Sequence, residues 1–556
     1  MDNTTKVALE TIEMGKQALI FCPSKASAEK TAEEISLLTK VSDPYLLELE
    51  NKVSRAVSTP TKQCKRLAKI IKKGIAFHHA GLANKQKDLI EDNFKSGKIK
   101  IICCTPTLAA GLSLPAFRVI IKSLKRFSGK WGMDWIPVLE YMQMSGRAGR
   151  PEYEKFGEAI SIAKNEQDRD DIYQRYICGV PEDIYSKLAA EPVLRTYLLS
   201  LISSGIIRSE FEMKEFFKET FWAHQYQDFA ELENIMDKML NLLLEWDFVT
   251  DGNKDNGDKI ESSTDNNNNN NNNNNQKKKF SDFISADSLL SKVKKMPETL
   301  NKKTNHNLRD RQLRATLIGK RVSQLYLDPL TAKHLVDCLN RTVRCGCLNT
   351  FSYLQAISNT LEMRPQLQVK KREQDLVQEE LLQNYNCLLQ DEPAQFDYSY
   401  NMFMNSIKTA MFFEAWISES GEDFLLEKFN VRPGETRVKL EIADWLIYSS
   451  EELAKLLNLR ENATELRKLR FRIKNGVKEE LLTLLKLKGI GRKRARRLYN
   501  NGIKDMGDLK KIDLATLSQI IGKAVAADVK KQLGEEVEEV PAGRRKGQLG
   551  LGKYTK

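Results

Sequence analysis

The first 165 residues alternate short, wholly apolar runs with helical patterns, and this alternation constrains the fold more than any other feature of the chain. Continuous apolar runs predict strands that are buried on both faces, which is typical of a parallel sheet covered by helices. The predicted strands are Gln17–Cys22, Gly74–Phe77, Ile99–Cys104, Val119–Ile121 and Glu158–Ala163, and the predicted helices include Lys25–Leu38, Lys85–Lys95 and Pro137–Ser145. The sequence therefore predicts an α/β domain built on a parallel sheet.

The rest of the chain is predicted to be mainly helical. Strand signals fade after Pro181, and helical patterns then continue with one long interruption. That interruption contains ten consecutive asparagines, Asn266–Asn275, flanked by Asp, Gly, Ser and Lys. Because such a segment cannot build an apolar core, residues 251–307 are predicted to be a disordered insertion.

Composition excludes several classes of protein. Hydrophobic residues make up 41% of the chain and charged residues 29%, as in ordinary globular domains. No run of about 18 uncharged apolar residues is present, which excludes an integral membrane protein, and Met1–Lys6 lacks the apolar core of a secretory signal. The nine cysteines are scattered and form no Cys-x-x-Cys pair, so neither a disulfide framework nor a structural metal site is expected. A reducing, cytoplasmic location is predicted.

The net charge of +13 is concentrated in one segment. Residues 462–500 contain 13 lysines and arginines against three acids, a local charge of +10. A charge this local favours binding to a polyanion, for which nucleic acid is the default, and a solvated charged helix is the alternative.

The segment QMSGRAGR, Gln143–Arg150, carries the sharpest chemical signal. Arg147 and Arg150 are three residues apart with glycines around them, so both guanidinium groups can face one point. Guanidinium groups suit phosphate oxygens and stabilise the charge of a transferring phosphoryl group. Gln143 can hydrogen-bond the γ-phosphate or the attacking water. The alternative is a surface turn with incidental arginines.

This segment resembles motif VI of the superfamily 2 helicases, and three upstream segments agree with it in order. Ala18–Lys25 (ALIFCPSK) resembles motif IV, Phe77–Leu82 (FHHAGL) resembles the next motif, and Thr105–Pro115 (TPTLAAGLSLP) resembles motif V. Together they resemble the second RecA-like domain of the archaeal fork-repair DNA helicases known as Hjm, in the Ski-type branch of superfamily 2.

The resemblance implies roles for individual residues of these motifs. Thr105 and Thr107 would contact phosphates of the tracking strand, and Gly111 would lie with Arg147 and Arg150 at the ATP site. This chain has Ser113 where the family commonly has Asn or Asp, which puts a role for that side chain in doubt. The adjacent His78 and His79 lack Cys or carboxylate partners in sequence, so a loop or core role is expected and no metal site is predicted.

Between motifs V and VI, two short strand-like runs bracket Ser128-Gly129-Lys130 and predict a β-hairpin. In the resembling helicases a hairpin at this place separates the duplex. Phe127, Trp131 and Trp135 could stack on the last base pair, a contact worth about 1–3 kcal/mol per base. The alternative is that these aromatic side chains pack the domain edge.

The middle of the chain resembles further domains of the same helicases. Glu191–Gly205 resembles a winged helix, Leu313–Ala332 the start of a helical ratchet domain, and Pro433–Tyr448 its ratchet helix. Trp445 matches a tryptophan that grips the single strand in the family, whereas Val438 stands at the family's Arg position, between Arg437 and Lys439. The alternative for Trp445 is a core tryptophan.

A third signal accounts for the local charge. Leu487–Leu498 (LKGIGRKRARRL) contains a Gly-Ile-Gly turn followed by a basic helix and resembles a helix-hairpin-helix module. Glycines at the turn let the backbone approach a phosphate, which the amides at the helix N-terminus then face. The predicted nucleic-acid contacts are Gly489, Gly491, Arg492, Lys493, Arg494 and Arg497, with Arg496 beside them. In the tail, the spacing of Gln548, Leu551 and Tyr554 suggests a sliding-clamp or single-strand-binding-protein contact, with a featureless tail as the alternative.

The predicted fold class is therefore a RecA-like α/β domain followed by winged-helix, helical ratchet and helix-hairpin-helix domains. The predicted division is 1–178 for the second RecA-like domain, 179–250 for the winged helix, 251–307 for the insertion, 308–460 for the ratchet domain, 461–534 for the helix-hairpin-helix module and 535–556 for a flexible tail.

The chain contains neither the G-x-x-x-x-G-K-[S/T] string nor a D-E-x-H box, the elements that hold phosphate and Mg²⁺ in the first RecA-like half of such motors. The resemblance thus implies the carboxy-terminal part of an ATP-dependent 3′-to-5′ helicase that acts on single-stranded and forked DNA in replication-coupled repair. ATP and Mg²⁺ are the implied cofactors, with the Mg²⁺ ligands on the other half, and the chain alone is predicted to be inactive. An RNA helicase of the same branch and a non-catalytic nucleic-acid-binding protein are the alternatives.

Overall fold

The structure is a computed structural model. It describes residues 2–40, 43–57, 60–111, 114–127, 132–149, 155–226, 229–252 and 311–534. Within these ranges it shows an α/β domain, a large helical core and a small helical module.

Five parallel strands form the sheet of the first domain, namely β1 Ala18–Phe21, β2 Ile75–His78, β3 Ile101–Cys104, β4 Arg118–Ile121 and β7 Glu158–Ser161. Their spatial order is β2-β3-β1-β4-β7. In register, Ala18 at the start of β1 lies between Ile101 of β3 and Arg118 of β4. Four strands, the edge strand β2 and the inner strands β3, β1 and β4, are buried along their whole length, as their uninterrupted apolar sequences predict. The predicted parallel sheet is confirmed.

Helices cover this sheet and contribute to one hydrophobic core with it. The side chain of Ser24 accepts a hydrogen bond from the amide of Ser27 at 3.2 Å, so the helix after β1 begins where its sequence cap predicts. The helices are α1 Asn3–Glu13, α2 Lys25–Leu38, α3 Pro44–Arg55, α4 Lys62–Ile71, α5 Asn84–Lys95, α6 Thr107–Gly111, α7 Val138–Ser145 and α8 Glu166–Ile172.

A two-stranded antiparallel ribbon stands between β4 and α7. Its strands are β5 Lys125–Phe127 and β6 Met133–Trp135, with Arg126 opposite Asp134. The predicted hairpin is thus confirmed in its two strands, and residues 128–131 of its tip lie outside the described residues.

A second antiparallel pair, which the sequence did not predict, follows the next group of helices. Strand β8 Val249–Asp251 pairs with β9 Leu313–Ala315. The amide of Gly252 donates to the carbonyl of Gln312 at 2.6 Å, so the Asn-rich insertion connects two strands of one hairpin. The preceding helices are α9 Glu191–Ser203, α10 Glu210–Lys218, α11 Phe221–Tyr226 and α12 Phe229–Glu245. The insertion itself lies outside the described residues.

One continuous core runs from Leu194 to Ile473 and joins these elements to a bundle of eight helices within the described residues. The longest of them, α19 Pro433–Leu456, crosses the bundle and lies beside α20 Arg460–Asn475. The other six are α13 Leu317–Gln324, α14 Pro329–Thr342, α15 Thr350–Ser358, α16 Gln374–Asn384, α17 Tyr398–Ile417 and α18 Glu422–Phe429. A disulfide joins Cys347 to Cys387, with their Cα atoms 4.9 Å apart, a pairing that the scattered cysteine pattern did not indicate.

A separate small core begins at Val477, directly after Gly476 ends α20 with a left-handed backbone. It comprises short helices around a core of leucine, isoleucine, valine and alanine. They are α21 Arg492–Asn500, α22 Met506–Lys511, α23 Leu514–Ile521 and α24 Lys523–Gln532. Among the described residues of the whole chain, no helix combines the length and apolar character needed to cross a membrane.

Candidate functional site

Three of the sequence motifs follow neighbouring strands at one edge of the sheet. Ser24 and Lys25 come after β1, His79–Gly81 after β2, and Thr105 after β3. Since the carboxyl ends of parallel strands lie at the same edge of a sheet, the topology brings the three motifs together there, where ligands commonly bind in such folds.

The two threonines of motif V lie at this edge and contact each other. Their Oγ1 atoms are 2.9 Å apart, and the exposed Thr107 begins α6. Hydroxyl groups at such a position can donate to the phosphates of a strand without reading its sequence. Gly111 ends α6, and Ser113 lies outside the described residues.

Motif VI lies against the far end of motif V. The Arg147 guanidinium donates through Nε to the carbonyl of Ala109 at 3.2 Å, and through a second nitrogen to the same oxygen. The backbones are also joined, because the amide of Ala116 donates to the carbonyl of Arg147 at 3.0 Å and the amide of Gly149 donates to the carbonyl of Ala116 at 2.7 Å. The loop that carries the arginines is therefore held by the segment that begins at the threonines.

The other predicted ATP-site residues are placed as follows. Gln143 is exposed near the end of α7, and Arg147 follows that helix directly after its cap, Gly146. Arg150 lies outside the described residues. An amide and guanidinium groups are donors that suit the phosphates of a nucleotide, so the residues present fit the arginine side of an ATP site.

The two adjacent histidines are buried in the α/β domain and face carboxylates. His78 Nε2 lies 2.9 Å from Glu91 Oε1, and His79 Nε2 lies 3.1 Å from Glu29 Oε1. Burial lowers the pKa of His78, although the nearby Glu91 opposes that shift. Within the described ranges, no group of three His, Cys, Asp or Glu residues is arranged to hold a metal ion.

The hairpin aromatic residues lie in different surroundings. Trp135 is half-buried at the hairpin base, where Lys125 Nζ lies 3.8 Å and the Arg175 guanidinium 5.3 Å from its ring centroid. Its ring also packs against Tyr176. Trp135 therefore packs at the edge of the domain, which is the alternative that the sequence left open. Phe127 ends β5, and Trp131 lies outside the described residues.

On α19, Trp445 is half-buried and packs against the large core. Its indole Nε1–H donates to the carbonyl of Leu325 at 3.0 Å. Arg437 and Val438 are exposed near the start of the helix, whereas Lys439 donates to the carbonyl of Pro365 at 2.8 Å. Of the cationic pair that flanks Val438, Arg437 alone is exposed.

The helix-hairpin-helix turn has the expected backbone. Gly489 has a φ of +84°, in the left-handed region that favours glycine, and Gly491 caps α21 with an extended backbone. A Cβ at Gly491 would meet no atom within 4 Å, so the space beside this glycine is open.

The basic residues of α21 divide into two groups. Arg492 donates to the carbonyl of Ser420 at 2.8 Å and stacks over Trp416, and Arg496 donates to Glu419 at 2.9 Å and pairs with Glu480. Lys493, Arg494 and Arg497 are exposed, and Arg494 donates to the carbonyl of Gly489 at 2.9 Å. The first group attaches the small module to the loop between α17 and α18, whereas the side chains of the second group are exposed on the surface of the module.

Sequence reasoning missed this attachment and the residues that receive it. Glu419, at the end of the α17 segment, has a φ of +71°, which an ordinary side chain rarely adopts, and its carboxylate also accepts the amide of Lys478 at 3.3 Å. Nothing in the local sequence distinguishes Glu419 from the other acids, because its partners lie about sixty to eighty residues further along the chain.

Three family descriptions match consecutive parts of the chain. Residues 45–152 match the helicase conserved C-terminal domain, residues 351–476 match domain 4 of archaeal helicases, and residues 481–535 match a SAM-like helix-hairpin-helix tandem. Curated relatives match nearly the whole chain. ATP-dependent DNA helicase Hel308 from Methanococcus vannielii is 36% identical over 96% of this chain and 68% of its own length.

The chain belongs to the Hel308 family. The Hel308 proteins of Methanocella arvoryzae and Pyrococcus horikoshii are 33% and 34% identical, each over 97% of this chain and over 66% and 67% of their own lengths. The chain thus spans about two thirds of the length of these Hel308 relatives. The match to the helicase C-terminal domain includes the FHHAGL, TPTLAAGLSLP and QMSG segments, and the archaeal domain 4 match includes Trp445.

Proposed function

We propose that this Hel308-family chain supplies the second RecA-like half and the DNA-handling domains of an ATP-dependent 3′-to-5′ DNA helicase that unwinds forked or branched DNA in replication-coupled repair. The observation that carries the proposal is the direct attachment of Arg147 to the segment that begins at Thr105 and Thr107. A contact of this kind can couple the state of a nucleotide to the grip on a strand.

ATP with Mg²⁺ is the proposed cofactor. Gln143, Arg147 and Arg150 would face the phosphates, and Gly111 would lie beside them. Bound ATP supplies the phosphoryl transfer that drives movement, and the arginines would stabilise the charge that develops on the transferred group. Because the 556 residues contain no G-x-x-x-x-G-K-[S/T] string, the phosphate cradle and the Mg²⁺ ligands are expected from a first RecA-like half.

The proposed DNA contacts extend over several elements. Thr105 and Thr107 would hold the tracking strand, Phe127 and Trp131 of the hairpin would meet the duplex end, and Trp445 would lie along the strand. Gly489, Gly491, Lys493, Arg494 and Arg497 would hold the backbone further along. Arg492 would act on DNA only indirectly, by fixing the module that carries the others.

The proposed domain division follows the sequence, with two adjustments supported by the packing. Strand β9 belongs with β8 in the winged-helix unit, and α20 belongs with the ratchet bundle, since the separate core of the small module starts at Val477. The tail and a cytoplasmic location remain part of the proposal, with single-strand-binding protein or a sliding clamp as the tail's partner.

Reconstitution with a separately expressed first RecA-like helicase domain tests the function. We expect DNA-stimulated ATP hydrolysis and unwinding of a forked DNA with a 3′ single-stranded arm, and little unwinding of the matching RNA fork. Stronger unwinding of the RNA fork would favour the RNA helicase. Tight DNA binding without any ATP hydrolysis in the mixture would favour a non-catalytic binding protein, a candidate supported by the missing phosphate-binding string.

A further inference from the structure

A buried carboxylate stands where the α/β domain meets the start of α19. The Glu29 side chain is 4% exposed and lies on α2, directly after the motif IV segment. It accepts hydrogen bonds from Gln63 at 3.0 Å, from Arg66 at 2.6 Å and from Arg432 Nε at 3.3 Å, and it faces His79 at 3.1 Å. Three of these partners belong to the α/β domain, and Arg432 belongs to the helical bundle.

The backbones of the two units touch at the same place. The amide of Gly434 donates to the carbonyl of Gly81 at 3.1 Å. A Cβ on Gly434 would lie 2.2 Å from the carbonyl oxygen of Ala80 and 2.5 Å from that of Leu82, so no other residue fits without moving the helix. The start of α19 therefore packs directly against the FHHAGL loop.

Arg432 makes contacts on both sides of this interface. Its backbone amide donates to Glu435 Oε2 at 2.9 Å, which caps α19, while its guanidinium reaches Glu29. A Cβ on Gly81 would lie 2.5 Å from Arg432 Cδ, so the arginine stem covers that glycine. Around this centre, Lys25 pairs with Glu435, and the exposed Lys62 pairs with Glu427 at 2.6 Å.

We propose that Glu29, Arg432 and Gly434 form a latch that makes α19 and the FHHAGL loop move as one body, so that the ratchet helix travels with the second RecA-like domain. The inference rests on the proposed motor function. In this arrangement Glu29 and Arg432 are positioning residues, and neither of them contacts ATP or DNA.

The geometry of α19 explains why such a latch would matter. The helix has 24 residues and is about 36 Å long, and Trp445 lies about 16 Å along it from Gly434. A rigid helix fixed at one end transfers any displacement of the FHHAGL loop to the position of Trp445. If α19 were released from the loop, the DNA contacts of the second RecA-like domain and of Trp445 would move independently. The movement of the strand per ATP would then fall.

The charge on Glu29 is kept despite burial. Burial by itself would raise the pKa of this carboxyl, but the hydrogen bond from His79 and the charges of Arg432 and Arg66 lower it to about 2. Glu29→Gln removes this charge at nearly constant shape, whereas Gly434→Ala separates the two surfaces by steric contact. The two variants therefore disrupt the same interface in different ways, one by removing a charge and the other by steric contact.

The test compares ATP consumption with unwinding in the reconstituted motor. We expect Glu29→Gln, Arg432→Gln and Gly434→Ala to lower the number of base pairs unwound per ATP by about tenfold, a change within the range typical of coupling between two sites. DNA-stimulated hydrolysis itself should change far less. The double variant Glu29→Gln with Arg432→Gln should be no worse than either single one, because both remove the same contact. Gly421→Ala, where a Cβ would meet nothing within 4 Å, and Lys62→Ala at the exposed rim are the matched controls.

A second measurement uses the chain alone and does not depend on motor activity. Amide hydrogen exchange should quicken at residues 78–82 and 432–440 in Glu29→Gln and in Gly434→Ala, and it should stay unchanged in both controls. Unchanged exchange at these two segments, or a parallel loss of hydrolysis and unwinding, would overturn the latch. Absence of hydrolysis in the wild-type mixture would instead contradict the proposed function and leave the exchange experiment to decide the latch.

Discussion

The guanidinium of Arg147 donates to the carbonyl of Ala109, with Nε and oxygen 3.2 Å apart, and so ties the motif VI loop to the short helix that starts at Thr107. The same helix begins at the edge of the sheet where the other motifs converge. In the proposed function, the same arginine would face a nucleotide and hold the segment that carries Thr105 and Thr107.

Replacing this arginine should damage ATP turnover much more than DNA binding. In the reconstituted motor we expect Arg147→Ala to lower ATP turnover by about 10³-fold, the lower end of the range for arginine fingers. Arg147→Lys should rescue little, since a lysine ammonium lacks the planar fork of donors that lets a guanidinium contact two acceptors in fixed directions. Arg126→Ala removes an exposed ion pair with Glu140 on α7 and is the control, with turnover expected near the wild-type value. If Arg147→Ala kept ATP turnover intact but lost DNA binding, the proposed role of Arg147 at the ATP site would be wrong.

The purified chain alone should not hydrolyse ATP at a significant rate. The physical reason is that arginines cannot replace the phosphate cradle and the Mg²⁺ carboxylates, which none of its 556 residues supplies in the known pattern. Phosphate release with and without single-stranded DNA is the measurement. Robust turnover by the homogeneous chain would show that an unrecognised phosphate site is present.

The exposed basic residues of α21, which are Lys493, Arg494 and Arg497, should determine the salt dependence of DNA binding. The full chain should bind DNA without sequence preference, with log K falling against log salt at a slope of about −0.9 per phosphate neutralised on duplex or about −0.7 on single strands. Arg494→Glu with Arg497→Glu should flatten that slope.

The matched control for this pair is Lys510→Glu with Lys511→Glu, which makes the same charge change at two exposed positions on α22. Its slope should change much less, because the effect depends on location beside Gly489 and Gly491. Equal flattening in both double variants would indicate that net charge alone is responsible.

The attachment of the small module should depend on Glu419. Burial opposes ionisation of this carboxyl, but the hydrogen bond and the charge of Arg496 lower its pKa. Glu419→Gln should therefore loosen the module, seen as faster hydrogen exchange at α21 and at the loop between α17 and α18. Glu465→Gln, whose carboxylate is half exposed and pairs with Lys468 on the surface, should leave exchange at both segments unchanged.

Glu29 should give the free energy of unfolding a distinct dependence on pH. Its pKa is about 2 in the folded chain against an ordinary value of 4.5, so its contribution is complete above pH 4.5 and is lost as pH falls toward 2. The shift corresponds to a contribution on the order of 3 kcal/mol. Urea unfolding of wild type and Glu29→Gln between pH 3 and pH 7 would measure it, and the two should converge as pH falls. A constant difference across that range would contradict the assigned pKa.

The sequence by itself determined the parallel sheet, the positions of its five strands and of helices α2, α5 and α7, and the family. Wholly apolar runs such as Ile101–Cys104 suit only a strand buried on both faces, and Ser24 can fix the start of α2 because capping is a local interaction. Local chemistry also proposed the arginines of motif VI and the glycines of the basic turn as site residues, because each motif needs only a few adjacent residues.

Only the tertiary structure decided which charged and aromatic side chains face outward. Arg492, Arg494, Arg496 and Arg497 are equivalent in sequence, yet Arg492 and Arg496 dock on a loop more than 70 residues earlier. Glu29 meets Arg432 across 403 positions, and Trp445 meets Leu325 across 120. Such contacts depend on how separate cores pack against each other, and no local pattern encodes that packing.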